Sequence, residues 1–405
     1  MSNKFLFLLF LLFLFSGADR ISFSLASMHI RFVQIMVIFI LFYFYYKTKL
    51  FTISINNLLL YIIFILSSII SLSYDINMKS IAFELYLVFN YIFIYWLTIN
   101  ISKQFKLSNV LKYYLLSMKI ISIYTILQFI LGQMGIADPF FAKYYQWGIT
   151  RPAVWFYEPS YLAISLIIYF SMSYYLFMNI KYIDKSFKIK QHLLISTLAV
   201  ISSTSSTAYV GLLLSLLIIT FLSKKVKLIK KLILILFITF FLSIIFIAIN
   251  NLSNGFIEYQ LVRLNVTSLQ QLNGVSGGRV EGWFTLINAI KENPLFGIGG
   301  GNYFIMNGVV ATNVTLELIA ELGLIGFTIF IILFNYPIIY YLLNKKRFSQ
   351  EAKIYINSLL FSLFISLIIW QANQNYMRIY MWVHYALIYS FIFYAKQGKK
   401  YEYIN

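Results

Sequence analysis

Apolar residues run in blocks along almost the whole chain, separated by short polar stretches. Most blocks hold roughly 18 to 25 residues, enough to cross about 30 Å of hydrocarbon as a helix. They predict spans at about 4–15, 29–46, 55–73, 81–100, 112–131, 159–178, 191–204, 207–222, 229–250, 313–342, 354–371 and 377–394. The expected fold is therefore an all-α polytopic membrane protein of about twelve transmembrane helices, one integral membrane domain over residues 1–405. The first block, KFLFLLFLLFLF followed by SGA, has the shape of a signal peptide but leads straight into more spans, and is read as an uncleaved helix. Residues 191–222 are broken at SSTSST, and lysines on both flanks favour a hairpin of two short crossings.

Composition changes this picture little. With 61% hydrophobic and 11% charged residues, the 405-residue chain leaves no stretch for a sizeable soluble domain. The absence of cysteine excludes disulfides, a thiolate metal site and a thiol nucleophile. A net charge of +19 would suit a nucleic-acid partner, yet the basic residues sit in short loops between spans, where they set orientation. Lys47 and Lys49, Lys103 to Lys112, Lys181 to Lys190, Lys224 to Lys231, Lys345 to Arg347 and Lys396 to Lys400 all fall on one side, the cytoplasm. Both termini are then inside. The loops near 16–28, 74–80, 132–158, 204–206, 251–312 and 372–376 face out. Two of these, 132–158 and the large loop 251–312 between spans nine and ten, are too long to be mere turns and are expected to carry function.

Lysine outnumbers arginine more than threefold, so the placement of arginine is informative. Arg20, Arg31, Arg151, Arg263, Arg279 and Arg378 fall outside or at outer helix ends; only Arg347 falls inside. Orientation asks only for positive charge inside and gives no reason for guanidinium outside. Planar bidentate donors suit phosphate and diphosphate. The bland alternative is that these arginines pair with outer carboxylates such as Asp138, Glu258 and Glu281.

Candidate chemistry gathers in two stretches. Gly148 to Ala163 carries Arg151, Trp155 and then Glu158-Pro159, a carboxylate at the favourable end of a helix dipole. From Gly277 to Gly326, Arg279, Trp283, Phe284, Ile287 and Ile290 recur at helical spacing, predicting a short amphipathic helix that Asn293-Pro294 stops. The glycine cluster Gly297 to Gly301 follows, with Asn302 and Tyr303; such backbone can approach an anion, but no Gly-Lys-Ser/Thr follows to make a P-loop. Glu317 and Glu321 then share one face of a span near its outer end, where acids are costly unless paired or set on a water-filled cavity. The ordinary reading of that pair is an ion pair with Arg378 or another outer arginine, and of His384 a satisfied packing histidine. Neither a metal-ligand cluster nor a nucleotide-binding motif is evident, so a transferase here would use a donor already activated on a lipid, with no cofactor.

At these residues the chain resembles the bacterial O-antigen polymerase and O-antigen ligase superfamily. The resemblance rests on Arg151 through Ala163 with its Glu-Pro-Ser-Tyr core, on SSTSSTAYVG, on Gly278-Arg279 through Gly299, and on Thr312-Asn313 through Gly326. It implies metal-independent glycosyl transfer at the periplasmic face of the inner membrane from an undecaprenyl diphosphate-linked glycan. Arg151 and Arg279 would hold the diphosphate, and Glu158 or Glu317 would act as base. Glu321, Asn313, Asn302, Arg263 and Arg378 would line the substrate site, with Trp155, Trp283 and Tyr303 stacking on sugars. Partners would be lipid-linked oligosaccharides, membrane lipids, a chain-length regulator and a flippase. Ligase-like members usually have His-Asn where this chain has Thr312-Asn313, which favours the repeat-unit polymerase over the ligase. A flippase or exporter of the lipid-linked unit is the alternative from another class, but it should carry cations along a cavity open to both faces, and here the arginines crowd outside.

Overall fold

The apolar blocks become helices that pack around one central span. The computed structural model describes residues 2–25, 28–49, 51–136, 138, 144–146, 149–222, 236, 279–307, 311–372 and 378–394. Its helices are α1 (Ser2–Phe15), α2 (Phe32–Thr48), α3 (Ile55–Ser71), α4 (Met78–Phe89), α5 (Leu97–Ser102), α6 (Leu107–Gln133), α7 (Pro159–Met178), α8 (Ile189–Ser202) and α9 (Ser206–Leu222). After these come α10 (Arg279–Glu292), α11 (Asn302–Asn307), α12 (Val314–Asn344), α13 (Gln350–Ile369) and α14 (Ile379–Tyr394). A π-helical stretch, Asn90–Trp96, joins α4 to α5. Among the described residues, six helical stretches are long and apolar enough to cross a membrane: Ile55–Tyr74, Ser80–Ser102, Leu107–Gln133, Pro159–Met178, Val314–Arg347 and Gln350–Ala372. Shorter apolar helices cover Asn3–Phe15, Phe32–Thr48, Ser206–Leu222 and Ile379–Tyr394. The protein is a multi-pass membrane protein; the expected span at 229–250 lies outside the described residues, apart from residue 236.

α7 is the axis. Buried residues make up 83% of its apolar window, and it packs against α8, α9 and α13. Its start is fixed chemically. Pro159 sits at the first helical position, where no backbone donor is missed. Just before it, Val154 adopts a left-handed φ of 54°, unusual for a β-branched residue, and the turn is held by Gln128 Oε1, which accepts from the amides of Ala153 (3.0 Å) and Val154 (2.8 Å).

α12 is the other organising element, and it is not one continuous helix. Gly323 breaks it with φ 68° and ψ 177°. The segment after α10 docks on the break: the amides of Ile298 and Gly299 donate to Ala320 O and Glu321 O (both 2.9 Å), while Leu324 and Ile325 donate to Pro294 O (2.9 Å) and Leu295 O (3.2 Å). A Cβ on Gly323 would stand 2.1 Å from Leu295 O, and one on Gly297 2.5 Å from Glu321 O. Irregular backbone at such a place is tolerated because protein groups satisfy it. Further along, Pro337 has no amide to give Leu333, and Tyr385 of α14 supplies a hydroxyl to Leu333 O instead (2.9 Å).

Two short hairpins were not expected. Ser22–Leu25 (β1) pairs with Met28–Arg31 (β2), so the second helix begins at Phe32 rather than near residue 29. The alternation SFSL and MHIR has the two-residue period of a strand, and the apolar block behind it masked this. Tyr144–Gln146 (β3) pairs with Ile149–Arg151 (β4), which puts Arg151 at the end of a strand.

The loops sort into two ends. At one, Arg20 N donates to Trp155 O (3.1 Å), Thr204 Oγ1 to Thr150 O (3.4 Å), Asn302 Nδ2 to Asp75 O (3.0 Å) and Asn313 Nδ2 to Gln371 O (3.1 Å). At the lysine-rich end, Lys112 pairs with Asp184 at 3.3 Å and Lys103 Nζ donates to Asn100 Oδ1 (2.7 Å).

Candidate functional site

At the arginine-bearing end, the first neighbourhood is a charge network between α1, α2, α7 and α14. Asp19 Oδ1 meets Arg31 Nε and Asp19 Oδ2 meets Arg378 Nη1, each at 3.0 Å, and the carboxylate is only 6% exposed. Arg378 lies on the Tyr161 ring, 3.9 Å from its centroid, and Arg31 on the Tyr86 ring at 5.1 Å, where it also hydrogen-bonds the hydroxyl. Burial works against the Arg378 charge, but Asp19, together with Tyr161, Tyr380 and Tyr86, outweighs it and holds the guanidinium protonated above its ordinary range. Glu158 belongs here. It caps the start of α7 in extended conformation, accepts from Ser160 Oγ, and acts electrostatically on Tyr161 and Tyr380.

Arg151 has a neighbourhood of its own. Its strand packs against α6, Thr150 meets Thr204 at the turn between α8 and α9, and the guanidinium acts on the Tyr209 hydroxyl in the first turn of α9. The small-residue turn SSTSST therefore serves as the seat of β4. Trp155 is 9% exposed and packs against Tyr124 (5.8 Å between centroids) and Phe15 (5.9 Å), so its faces are spent on protein rather than offered to a sugar.

The third neighbourhood is built on the broken helix. Asn313 caps α12 by accepting from Leu316 N (3.0 Å), and Glu317 follows in the first turn, 3% exposed. Tyr303 donates to Gly282 O (3.1 Å), tying α11 to α10, and its own pKa is pushed up first by burial and then by Glu317. Glu321, 2% exposed, lends its backbone carbonyl to the glycine segment. Asn302 donates to Asp75 O (3.0 Å) and Ile298 O (2.8 Å) and accepts from Asn77 (2.9 Å), which makes it a tie rather than an open ligand. Trp283 Nε1 donates to Thr312 Oγ1 (3.2 Å). The glycines thus bring backbone against backbone. Arg279 opens α10; Arg263 and Glu258 lie outside the described residues.

The pairing expectations resolve in detail. Asp138 accepts from Tyr124 (3.0 Å) and Gln128 (2.6 Å), and the carboxylate that pairs with Arg378 is Asp19, which the sequence reading did not single out. Glu84 was also passed over. It is 7% exposed inside the fourth expected span, accepts from Ser68 Oγ, has no partner for Oε2 among the described residues, and lies 3.1 Å from where a Cβ of Gly300 would stand. An ionisable group inside a span is itself the signal that would have found it. His384 is fully buried between Tyr114 and Ser362 (both 3.1 Å), a satisfied packing histidine.

Residues 192–331 match the family model described as O-Antigen ligase. Over that segment, about a third of its length, the chain is similar to the O-antigen ligase family. No curated protein matches it. The matched segment runs from α8 through the break in α12. It takes in Arg279, Trp283, Asn302, Tyr303, Asn313, Glu317 and Glu321, and leaves out Arg151, Glu158, Asp19 and Arg378. The family covers O-antigen ligases and polymerases, glycosyltransferase-like proteins that act on lipid-linked glycans in membranes.

Proposed function

We propose that this protein is the polymerase of oligosaccharide repeat units, joining them on undecaprenyl diphosphate at the periplasmic face of the inner membrane without a metal. The growing chain on its lipid diphosphate is the donor, and a terminal hydroxyl of the next lipid-linked unit is the nucleophile. Arg151 and Arg279 stabilise the departing diphosphate, fixed electrostatics that act strongly in a site of low dielectric. Glu158, or failing it Glu317, takes the proton of the attacking hydroxyl.

The observation that carries the choice of polymerase over ligase is at the mouth of α12. Thr312 stands where ligase-like members usually carry histidine, and its hydroxyl accepts from Trp283 (3.2 Å), so this position offers no imidazole base. Carboxylates are then the groups left to take the proton, Glu158 at the N-cap of α7 and Glu317 in the first turn of α12. Deleting the gene tests the reading. Single repeat units on the lipid anchor, still transferred to their acceptor, are expected. Long chains that stay unattached would assign the ligase instead, and lipid-linked units held on the cytoplasmic face would assign a flippase.

A further inference from the structure

At the lysine-rich end, a cavity of about 690 Å³ opens between α7, α9, α12 and α13, within the size range of small-ligand sites. From Asn357 to Leu367 it follows α13 for ten residue steps, about 15 Å at 1.5 Å per residue. Its wall is apolar at Ile338, Leu360, Phe364 and Leu367, the last two exposed on the surface of the bundle. Its mouth is not. Lys345 lines it at the exposed end of α12, next to Lys346 and Arg347, and none of these three pairs with a carboxylate among the described residues.

Between the mouth and this apolar wall lies an ordered set of polar groups. Tyr341 donates to Asn357 Oδ1 (3.0 Å) and Asn357 Nδ2 donates to the Tyr175 hydroxyl (3.2 Å). Tyr175 thus receives a hydrogen bond and, among the described residues, keeps its own proton to give. Polar side chains within a span are costly unless they meet a partner or a polar ligand. Along the cavity the chemistry runs cation, then hydroxyl donor, then hydrocarbon wall. That is the order of acceptors in a phospholipid: phosphate, ester carbonyl, acyl chain.

We propose that this cavity is a binding site for one anionic phospholipid, its phosphate at Lys345, an ester carbonyl at Tyr175 and an acyl chain along α13. The site is separate from the arginine-bearing end and does not depend on the reaction assigned there. The full-length protein in phosphatidylcholine vesicles doped with phosphatidylglycerol carrying a photoreactive group on one acyl chain tests it, with crosslinks mapped by peptide mass spectrometry. Labelling of α13 between Leu360 and Leu367 is expected to exceed that by an equally labelled phosphatidylcholine by about fivefold, the preference roughly one ammonium gives at a membrane surface. Lys345→Gln should bring the two lipids level at that place, while labelling of Leu66 and Ile69, exposed on α3, stays unchanged. Tyr175→Phe removes one hydroxyl, leaves the packing on Phe361 intact and should halve the labelling or more, so the proposal remains testable if the lysine variant folds poorly. Equal labelling by both lipids in the native protein would reduce the cavity to ordinary annular lipid and overturn the proposal. So would no labelling at α13, meaning that protein fills the space, or labelling competed away by a polyprenyl phosphate.

Discussion

The Asp19 network and the broken α12 lie toward the same end of the bundle but handle buried charge differently. Around Asp19, one carboxylate meets two guanidiniums at 3.0 Å each, and each guanidinium lies on a tyrosine face. Around α12, carboxyl groups sit among hydroxyls and backbone: Glu84 beside Ser68, Glu317 beside Tyr303, Glu321 where the glycine segment docks. A compensated network contributes rigidity and has little left to offer a substrate. Acids held by neutral groups keep their proton chemistry. The Asp19 pairs therefore read as the clamp between Arg31 and Arg378, and the acids held by neutral groups, Glu158 on Ser160 as well as Glu317, as the candidates for chemistry.

Four substitutions would break or sharpen this contrast. The largest effect is expected from Asp19→Ala, which strands two buried guanidiniums; removing one partner of a buried pair costs about 3–5 kcal/mol. Thermal melting in detergent should fall and folded yield with it. Glu158→Gln keeps the shape of the side chain, so the melt should stay within error while polymerisation drops about 10²–10⁴-fold, the usual contribution of a positioned base. An unchanged rate would move the role of base to Glu317, and the same change there decides it. Gly297→Ala forces a Cβ to 2.5 Å from Glu321 O at a φ of 74°, and strain of this kind costs about 1–3 kcal/mol. Its effect on activity should exceed its effect on the melt, because the docking of the glycine segment sets the shape of α12 beside Glu321. The smallest effect belongs to Thr312→Val, which loses one hydrogen bond to Trp283, about 0.5–1.5 kcal/mol. A rate drop of several orders of magnitude there, with the melt unchanged, would give the threonine a chemical role that its geometry does not suggest.

Hydropathy made the helices legible because each span must bury its own backbone hydrogen bonds, and that demand is written in consecutive residues. Sequence order was less able to reveal the pairings that close the site. Asp19 and Arg378 are 359 residues apart, and nothing local to either announces the other. The β1–β2 hairpin was lost beneath the apolar block that follows it. Gly323 looked like one small residue in a hydrophobic helix; only the chain from Pro294 to Gly299, packed across it, turns it into a break. The glycine cluster was read for its affinity to anions, whereas Gly297 here serves the close approach of two backbones.

The most direct measurement is chain growth by the purified protein in vesicles containing a lipid diphosphate-linked repeat unit, with products sized on a gel. Native protein is expected to give a ladder of lengthening chains, and Arg279→Lys and Arg151→Lys to leave single units although both variants fold and insert normally, since lysine keeps the charge but not the bidentate fork. Ladders of full length from both lysine variants would contradict the assignment of the diphosphate to these two guanidiniums.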